Sequence, residues 1–272
     1  VPQARKPGRR PAHDPHLLYE RAVQSPETEL ELLRRLLRRA GQPARWLRED
    51  FSGTALLSAS WVRSGPGRIA VAVDLDPAVH RWAATHRLPA LGPAAGRLLL
   101  VQADVRRAPP GPFDAILALN FSYQVFQARA ALRAYLTAAR RALVPGGLFM
   151  LDLFGGPLAH QEVTERRRLG GGITYVWEHE ACDPITQRVR CAIHFELPGG
   201  RRLRRAFTYD WRLWSLPELR DLLEEAGFDR IEVQWDVEPP GVEPRYRPRR
   251  RAANQGAWLA YLVGRRPGRT RR

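Results

Sequence analysis

The sequence predicts an α/β fold: a doubly wound, mostly parallel sheet carrying an antiparallel β insert. Three observations predict it. Apolar strand-like runs alternate with helical segments from residue 27 to 154. Between residues 170 and 212 the pattern becomes two-residue alternation with no helical period. A helix, a strand and a final strand then return, reaching residue 263. Strands alternating with helices require crossovers and parallel pairing, whereas alternation broken by short turns requires hairpins.

In order, residues 27–40 set Leu30, Leu33, Leu36 and Leu37 at helical spacing, with Gly41 as a natural stop. A short strand over 45–51 leads through a Gly53 turn into a helix ending at Arg63, which Gly65-Pro66-Gly67 closes. Ile69–Asp74 (IAVAVD) reads as a strand buried on both faces. The helix Pro77–His86 precedes strand Arg97–Gln102, and Phe113–Leu119 is the fourth strand. Ala128–Leu143 is a long helix closed by Pro145-Gly146-Gly147, and Leu148–Phe154 is the fifth strand. Inside the insert, Ile173–Ala181, Thr186–Glu196 and Arg202–Arg212 are three antiparallel strands, turned by Asp183-Pro184 and Pro198-Gly199-Gly200. Helix Leu216–Ala226, strand Arg230–Trp235, a proline- and arginine-rich loop and strand Trp258–Val263 complete the chain. The chain thus divides into a segment 1–26, a core of 27–169 and 213–264, an insert of 170–212 and a basic tail of 265–272.

With 272 residues and 44% apolar content, the chain can bury the core of one large domain. No run approaches the roughly 20 apolar residues of a membrane span. The basic N-terminus lacks the apolar stretch of a secretory signal, and two cysteines exclude a disulfide framework. A soluble, cytoplasmic protein is expected. The formal charge of +16 is concentrated at the ends: four basic groups in residues 1–10 and ten in 245–272, with no acid in either. Subtracting those fourteen leaves 30 basic groups against 28 acidic ones. Arginine-rich ends can grip phosphate backbones, which keeps a nucleic-acid partner as the alternative; the plainer reading is two solvated ends. Only Lys6 is a lysine, a skew that reads more as coding bias than as recognition.

In doubly wound sheets ligands sit beyond the carboxyl ends of the strands, where glycine lets backbone come close. Here the first such turn is Glu49-Asp50-Phe51-Ser52-Gly53-Thr54-Ala55. Asp74 ends the second strand about 20 residues beyond Gly53, a spacing that suits a carboxylate accepting from a ribose diol. Asp104 ends the third strand, where an acid can take an adenine amino group, and Leu119-Asn120-Phe121-Ser122-Tyr123 ends the fourth. One such acid could be a helix cap; three at successive strand ends point to one ligand.

On these residues the chain resembles the class I S-adenosylmethionine-dependent methyltransferases, from about Arg45 to Leu153 and, through the closing helix and strands, to Val263. The resemblance implies a seven-stranded sheet of order 3-2-1-4-5-7-6 with an antiparallel last strand, and S-adenosyl-L-methionine as cofactor. It implies methyl transfer to O or N of a small molecule. It puts Glu49 at the acid of the first motif, Asp74 at the ribose, Leu75 on the adenine and Asp104 with Val105 at the adenine edge. Leu119 and Asn120 would line the sulfonium end. Two positions depart: Phe51 and Ala55 stand where the family has its first and third glycines. The loop is then either reshaped or holds the cofactor further out. Asn120 to Tyr123 stands where amino-methylating enzymes carry Asn-Pro-Pro-Tyr, without either proline, and Tyr123 is a candidate catalytic residue.

Small-molecule members often fold an N-terminal helix over the cofactor and carry a lid after the fifth strand. Segment 1–26 either does this, with Tyr19 against the methionine end and Arg21 or Gln24 near its carboxylate, or simply staples Leu17, Leu18 and Tyr19 to the core. His13 and His16 flank Asp14 without further ligands, so no metal is expected. Alternation puts Tyr175, Trp177 and His179 on one face of the insert. That face either walls a small substrate, with His179 as general base, or packs on the main sheet. Arg212 is a candidate for a substrate carboxylate or for a structural pair.

Overall fold

A computed structural model describes residues 13–180, 182–238 and 241–268. The basic stretch over residues 1–10 and the last residues of the basic tail lie outside them. Two helices, α1 (Pro15–Val23) and α2 (Pro26–Ala40), precede the sheet. The alternating part is β1 (Trp46–Asp50), α3 (Leu56–Arg63), β2 (Ile69–Asp74), α4 (Pro77–Trp82), β3 (Leu98–Gln102), β4 (Phe113–Ala118), α5 (Arg129–Ala142) and β5 (Leu143–Gly155). The insert is β6 (Val163–Gly170), β7 (Ile173–His179), β8 (Arg188–Glu196) and β9 (Arg202–Arg212). The chain closes with α6 (Leu216–Glu225), β10 (Asp229–Asp236), β11 (Tyr246–Arg249) and β12 (Trp258–Arg265).

The main sheet runs β11-β10-β12-β5-β4-β1-β2-β3, with β3, β2, β1, β4 and β5 parallel and β12 antiparallel to β5. This is the expected 3-2-1-4-5-7-6 order with one more edge strand. β11 comes from the arginine-rich loop, and it pairs antiparallel with β10 from Val233↔Arg249 to Asp236↔Tyr246. The insert is a separate antiparallel sheet, β6-β7-β8-β9. It has four strands where three are expected: β6 (VTERRRLG), exposed along nearly its whole length, carries no apolar alternation to mark it in the sequence.

Each face of the main sheet has its own core. Val71, Ile116, Phe149 and Leu151 pack under α5 and α6, while Leu47, Ala72, Leu148 and Met150 pack under α2 and α3. Leu30, Leu33, Leu36 and Leu37 of α2 are all buried there, each contributing roughly 1.5–3 kcal/mol. Gly41, at φ 66°, ends α2 in the left-handed cap that glycine favours. Residue parity along β5 sets Asp152 on the same side as Leu148 and Met150, facing α2.

Candidate active site

The loop after β1 keeps a glycine-type backbone without all of its glycines. Phe51, Gly53 and Ala55 are all left-handed, at φ 57°, 50° and 56°. For the two residues with side chains this costs roughly 1–2 kcal/mol each. Packing offsets it: the Phe51 ring lies edge-on to Tyr135 and Phe126 at 5.8 and 6.0 Å, and Ala55 is fully buried. The Gly53 N–H donates to Asp74 Oδ2 at 2.8 Å, and the Asp76 N–H donates to Oδ1 at 3.0 Å. Half-buried Asp74 retains free lone pairs beside the loop. Next to it Leu75 is 68% exposed, and the buried Ser52 hydroxyl lacks a partner among the described residues.

Glu49 lies below the loop and anchors α3, accepting from the Ser58 N–H at 2.9 Å and from the Ser58 hydroxyl. Burial pushes its carboxyl from 4.5 up to about 7. Asp104 is gripped by Arg106, whose Nε lies 3.0 Å from both oxygens, and those bonds hold the carboxyl below its ordinary value. Val105 is buried behind it. The order β1-β2-β3 therefore sets Glu49, Asp74 and Asp104 at the carboxyl ends of adjacent strands.

Helix α1 spans from this loop to the insert. Asp14 caps it, accepting from the His16 N–H at 2.8 Å and from Trp82 Nε1 at 2.8 Å. Glu20 faces the loop and takes the Thr54 hydroxyl and the Arg87 guanidinium. Tyr19 instead packs its ring on Phe207 of β9 at 4.8 Å, and Arg21 donates to the Leu169 carbonyl.

Beyond β4, Asn120 and Phe121 are consecutive left-handed residues, at φ 57° and 58°. Their N–H groups donate to Asp152 Oδ2 and Oδ1 at 2.8 and 2.9 Å. Burial raises the Asp152 carboxyl from 3.8 to about 7. Glu29 of α2 lines the same space; burial, then the Asp152 charge, raises its carboxyl from 4.5 to about 8. Neither acid stood out in the sequence, although both sit where an apolar residue is expected. They border a cavity of about 860 Å³, walled by the α1–α2 junction, Asn120 and Phe121, Glu165–Arg167 of β6, Tyr175, Tyr246 and Tyr261. Tyr261 lies directly across from Asp152 on β12.

The two residues expected to do chemistry lie elsewhere. Tyr123 is fully buried in the core beneath α5, where burial keeps its phenol protonated, and it is not on the cavity wall. His179 is buried at the end of β7 with Nδ1 2.7 Å from the Gln161 carbonyl oxygen. It borders a separate pocket of about 140 Å³ between the insert and residues 154–162. Its neighbour Trp177 packs with Tyr209 and Trp211, and Trp211 meets Phe121 at 6.3 Å. The insert thus rests on the end of the main sheet through this cluster, while Tyr175 reaches the cavity. Arg212 is structural, lying 3.8 Å above the Trp214 ring and donating to the Gln127 carbonyl and to Glu218. Among the described residues no helix is long and apolar enough to cross a membrane.

No family model and no curated protein sequence matches the chain. Solved structures do. The CcbJ methyltransferase from Streptomyces caelestis aligns with a TM-score of 0.70 at 17% identity, over 91% of this chain and 92% of that one. The sugar N-methyltransferase KedS8 from Streptoalloteichus sp aligns with a TM-score of 0.65 at 24% identity, over 98% of both chains. CalS10, an amino pentose methyltransferase from Micromonospora echinaspora solved with its S-adenosylmethionine, aligns with a TM-score of 0.65 at 19% identity, over 92% and 95%. The chain has the fold of the S-adenosylmethionine-dependent methyltransferases: a Rossmann-like sheet with an antiparallel β insert.

Proposed function

We propose that this protein is an S-adenosylmethionine-dependent methyltransferase acting on O or N of a small molecule seated in the 860 Å³ cavity. The observation that carries it is the Gly53–Asp74 hydrogen bond within a loop left-handed at all three glycine-type positions. In this reading Asp74 takes the ribose hydroxyls and exposed Leu75 covers the adenine. Asp104 shares its carboxylate between Arg106 and the adenine amino group, with Val105 behind the ring. Gly53, Phe51 and the free Ser52 hydroxyl flank the methionine half above Glu49, and Leu119 and Asn120 border the sulfonium end. Tyr19 supports α1 from the insert side. When bound, the sulfonium supplies an electrophilic methyl group. The chain's part is to align a nucleophile with it and exclude water. Helix α1 serves the second task, tied to the loop through Glu20 and to the insert through Arg21.

The site of action we propose is cytoplasmic, in keeping with the free thiols of Cys182 and Cys191. A nucleic-acid substrate held by the arginine-rich ends is the lesser reading, because two of the described arginines there are tied into the fold. Arg266 donates to the carbonyls of Arg141 and Leu143, and Arg245 pairs with Glu238 at 2.6 Å. Calorimetric titration with S-adenosylmethionine and S-adenosylhomocysteine tests the proposal. Binding of both, followed by transfer of labelled methyl into a small-molecule extract, supports it. Absence of binding overturns it.

A further inference from the structure

We propose that Glu29 and Asp152 form the seat for the amino group of a small-molecule amine, and that Glu29 takes the proton of that amine. The inference rests on the methyltransferase reading and narrows its substrate class. Glu29 is 7% exposed, lines the cavity, and its carboxylate has no hydrogen-bond partner among the described residues. A buried acid without a donor is costly, and α2 is otherwise leucine on this face. A cationic ligand relieves that cost.

The two cations on the cavity wall are engaged elsewhere among the described residues, and neither forms an ion pair with Glu29 or Asp152. Arg166 is paired with Glu196, while Arg167 donates to the Ala22 carbonyl and lies over the Tyr175 ring at 5.4 Å. The opposite wall carries Tyr246 and Tyr261, edge-to-face at 4.7 Å, whose aromatic faces also suit a cation. Asp152 holds the Asn120 and Phe121 amides, so the pair lies beside the proposed sulfonium end rather than at the adenine. The groups that set the charge on Glu29 are Asp152 on β5, Glu49 on β1 and Glu27 on its own helix. With burial raising Glu29 to about 8 and Asp152 to about 7, the pair is placed to exchange a proton around neutrality. The step balances simply: an N–H bond of the ammonium breaks, its electron pair stays on nitrogen as the nucleophilic lone pair, and an O–H bond forms on Glu29.

A second ammonium could claim the same seat, the α-amino group of the cofactor itself, and the experiment separates the two. Protein labelled with carbon-13 at glutamate carboxyls is titrated by NMR in methylammonium chloride and in sodium chloride of equal ionic strength. The Glu29→Gln variant assigns the signal. The Glu29 midpoint should be lower in methylammonium than in sodium by about one pH unit or more. Asp152→Asn should abolish that shift. Equal midpoints in the two salts overturn the proposal. So does loss of S-adenosylhomocysteine binding in Glu29→Gln, which assigns the pair to the cofactor's amino group. Failure of the wild type to bind S-adenosylhomocysteine strikes the methyltransferase reading instead, so the two failures are distinct.

Discussion

The amide of Gly53 donates to the carboxylate of Asp74 at 2.8 Å, so one side chain both fixes the loop after β1 and faces the proposed ribose. Asp74→Ala should weaken S-adenosylhomocysteine binding by about 1.5–3 kcal/mol, the scale of a hydrogen bond to a charged group. Calorimetry reads this directly. Affinity equal to wild type would remove the ribose from Asp74.

The left-handed loop makes opposite demands at neighbouring positions. Gly53→Ala adds a methyl group into open space, so its cost is backbone strain alone, about 1–2 kcal/mol. Ala55→Gly relieves similar strain but loses a buried methyl worth about 0.8 kcal/mol and adds unfolded-chain freedom worth about 0.4–1 kcal/mol, leaving stability nearly unchanged. Urea denaturation of both variants checks the contrast. Equal destabilisation would mean that strain at Ala55 is not what the backbone angles indicate.

Arg48 and Asp50 form a fully buried pair at 2.8 Å, with the Tyr135 hydroxyl donating to Asp50 at 2.8 Å. Arg48→Met strands the carboxylate in the core and should cost about 3–5 kcal/mol. Equilibrium unfolding measures it, and a loss below about 1 kcal/mol would place the pair among weak surface contacts.

Buried acids shape the pH dependence, Asp50 among them, its carboxyl raised by burial. Glu29, Glu49 and Asp152 rise from 4.5, 4.5 and 3.8 to about 8, 7 and 7 on folding. The folded state therefore binds protons more tightly than the unfolded chain between those limits. Stability from these groups is present at low pH and is lost as pH rises from about 4 to about 8. Without ligand, the melting temperature should fall across this window. Glu29→Gln should melt above wild type at the alkaline end and converge with it at the acidic end. A melting temperature that climbs with pH there would reverse the assignment.

The fold and the acids at the strand ends were legible because periodicity and strand-end acids are local signals. IAVAVD and its terminal Asp74 declare a buried strand and its exit in six residues. What was missed had no such pattern. β6 is exposed, and β11 is short and arginine-rich. Glu29 and Asp152 did leave a trace: Glu29 falls on the leucine face of α2, and Asp152 interrupts LFMLDLF. Each reads as an isolated polar residue until the fold brings α2 over β5. Tyr123 drew attention by its place in the Asn120–Tyr123 stretch and His179 by strand alternation, and tertiary packing placed both away from the cavity.

Helix α1 is held at both ends of its reach: Glu20 grips Thr54 and Arg87, Arg21 grips the Leu169 carbonyl, and Arg167 returns the grip to Ala22. In the proposed reading, a molecule held under this helix would leave only after several of these bonds break together. Residence time, more than encounter, would then be governed by one nine-residue helix that touches both halves of the protein.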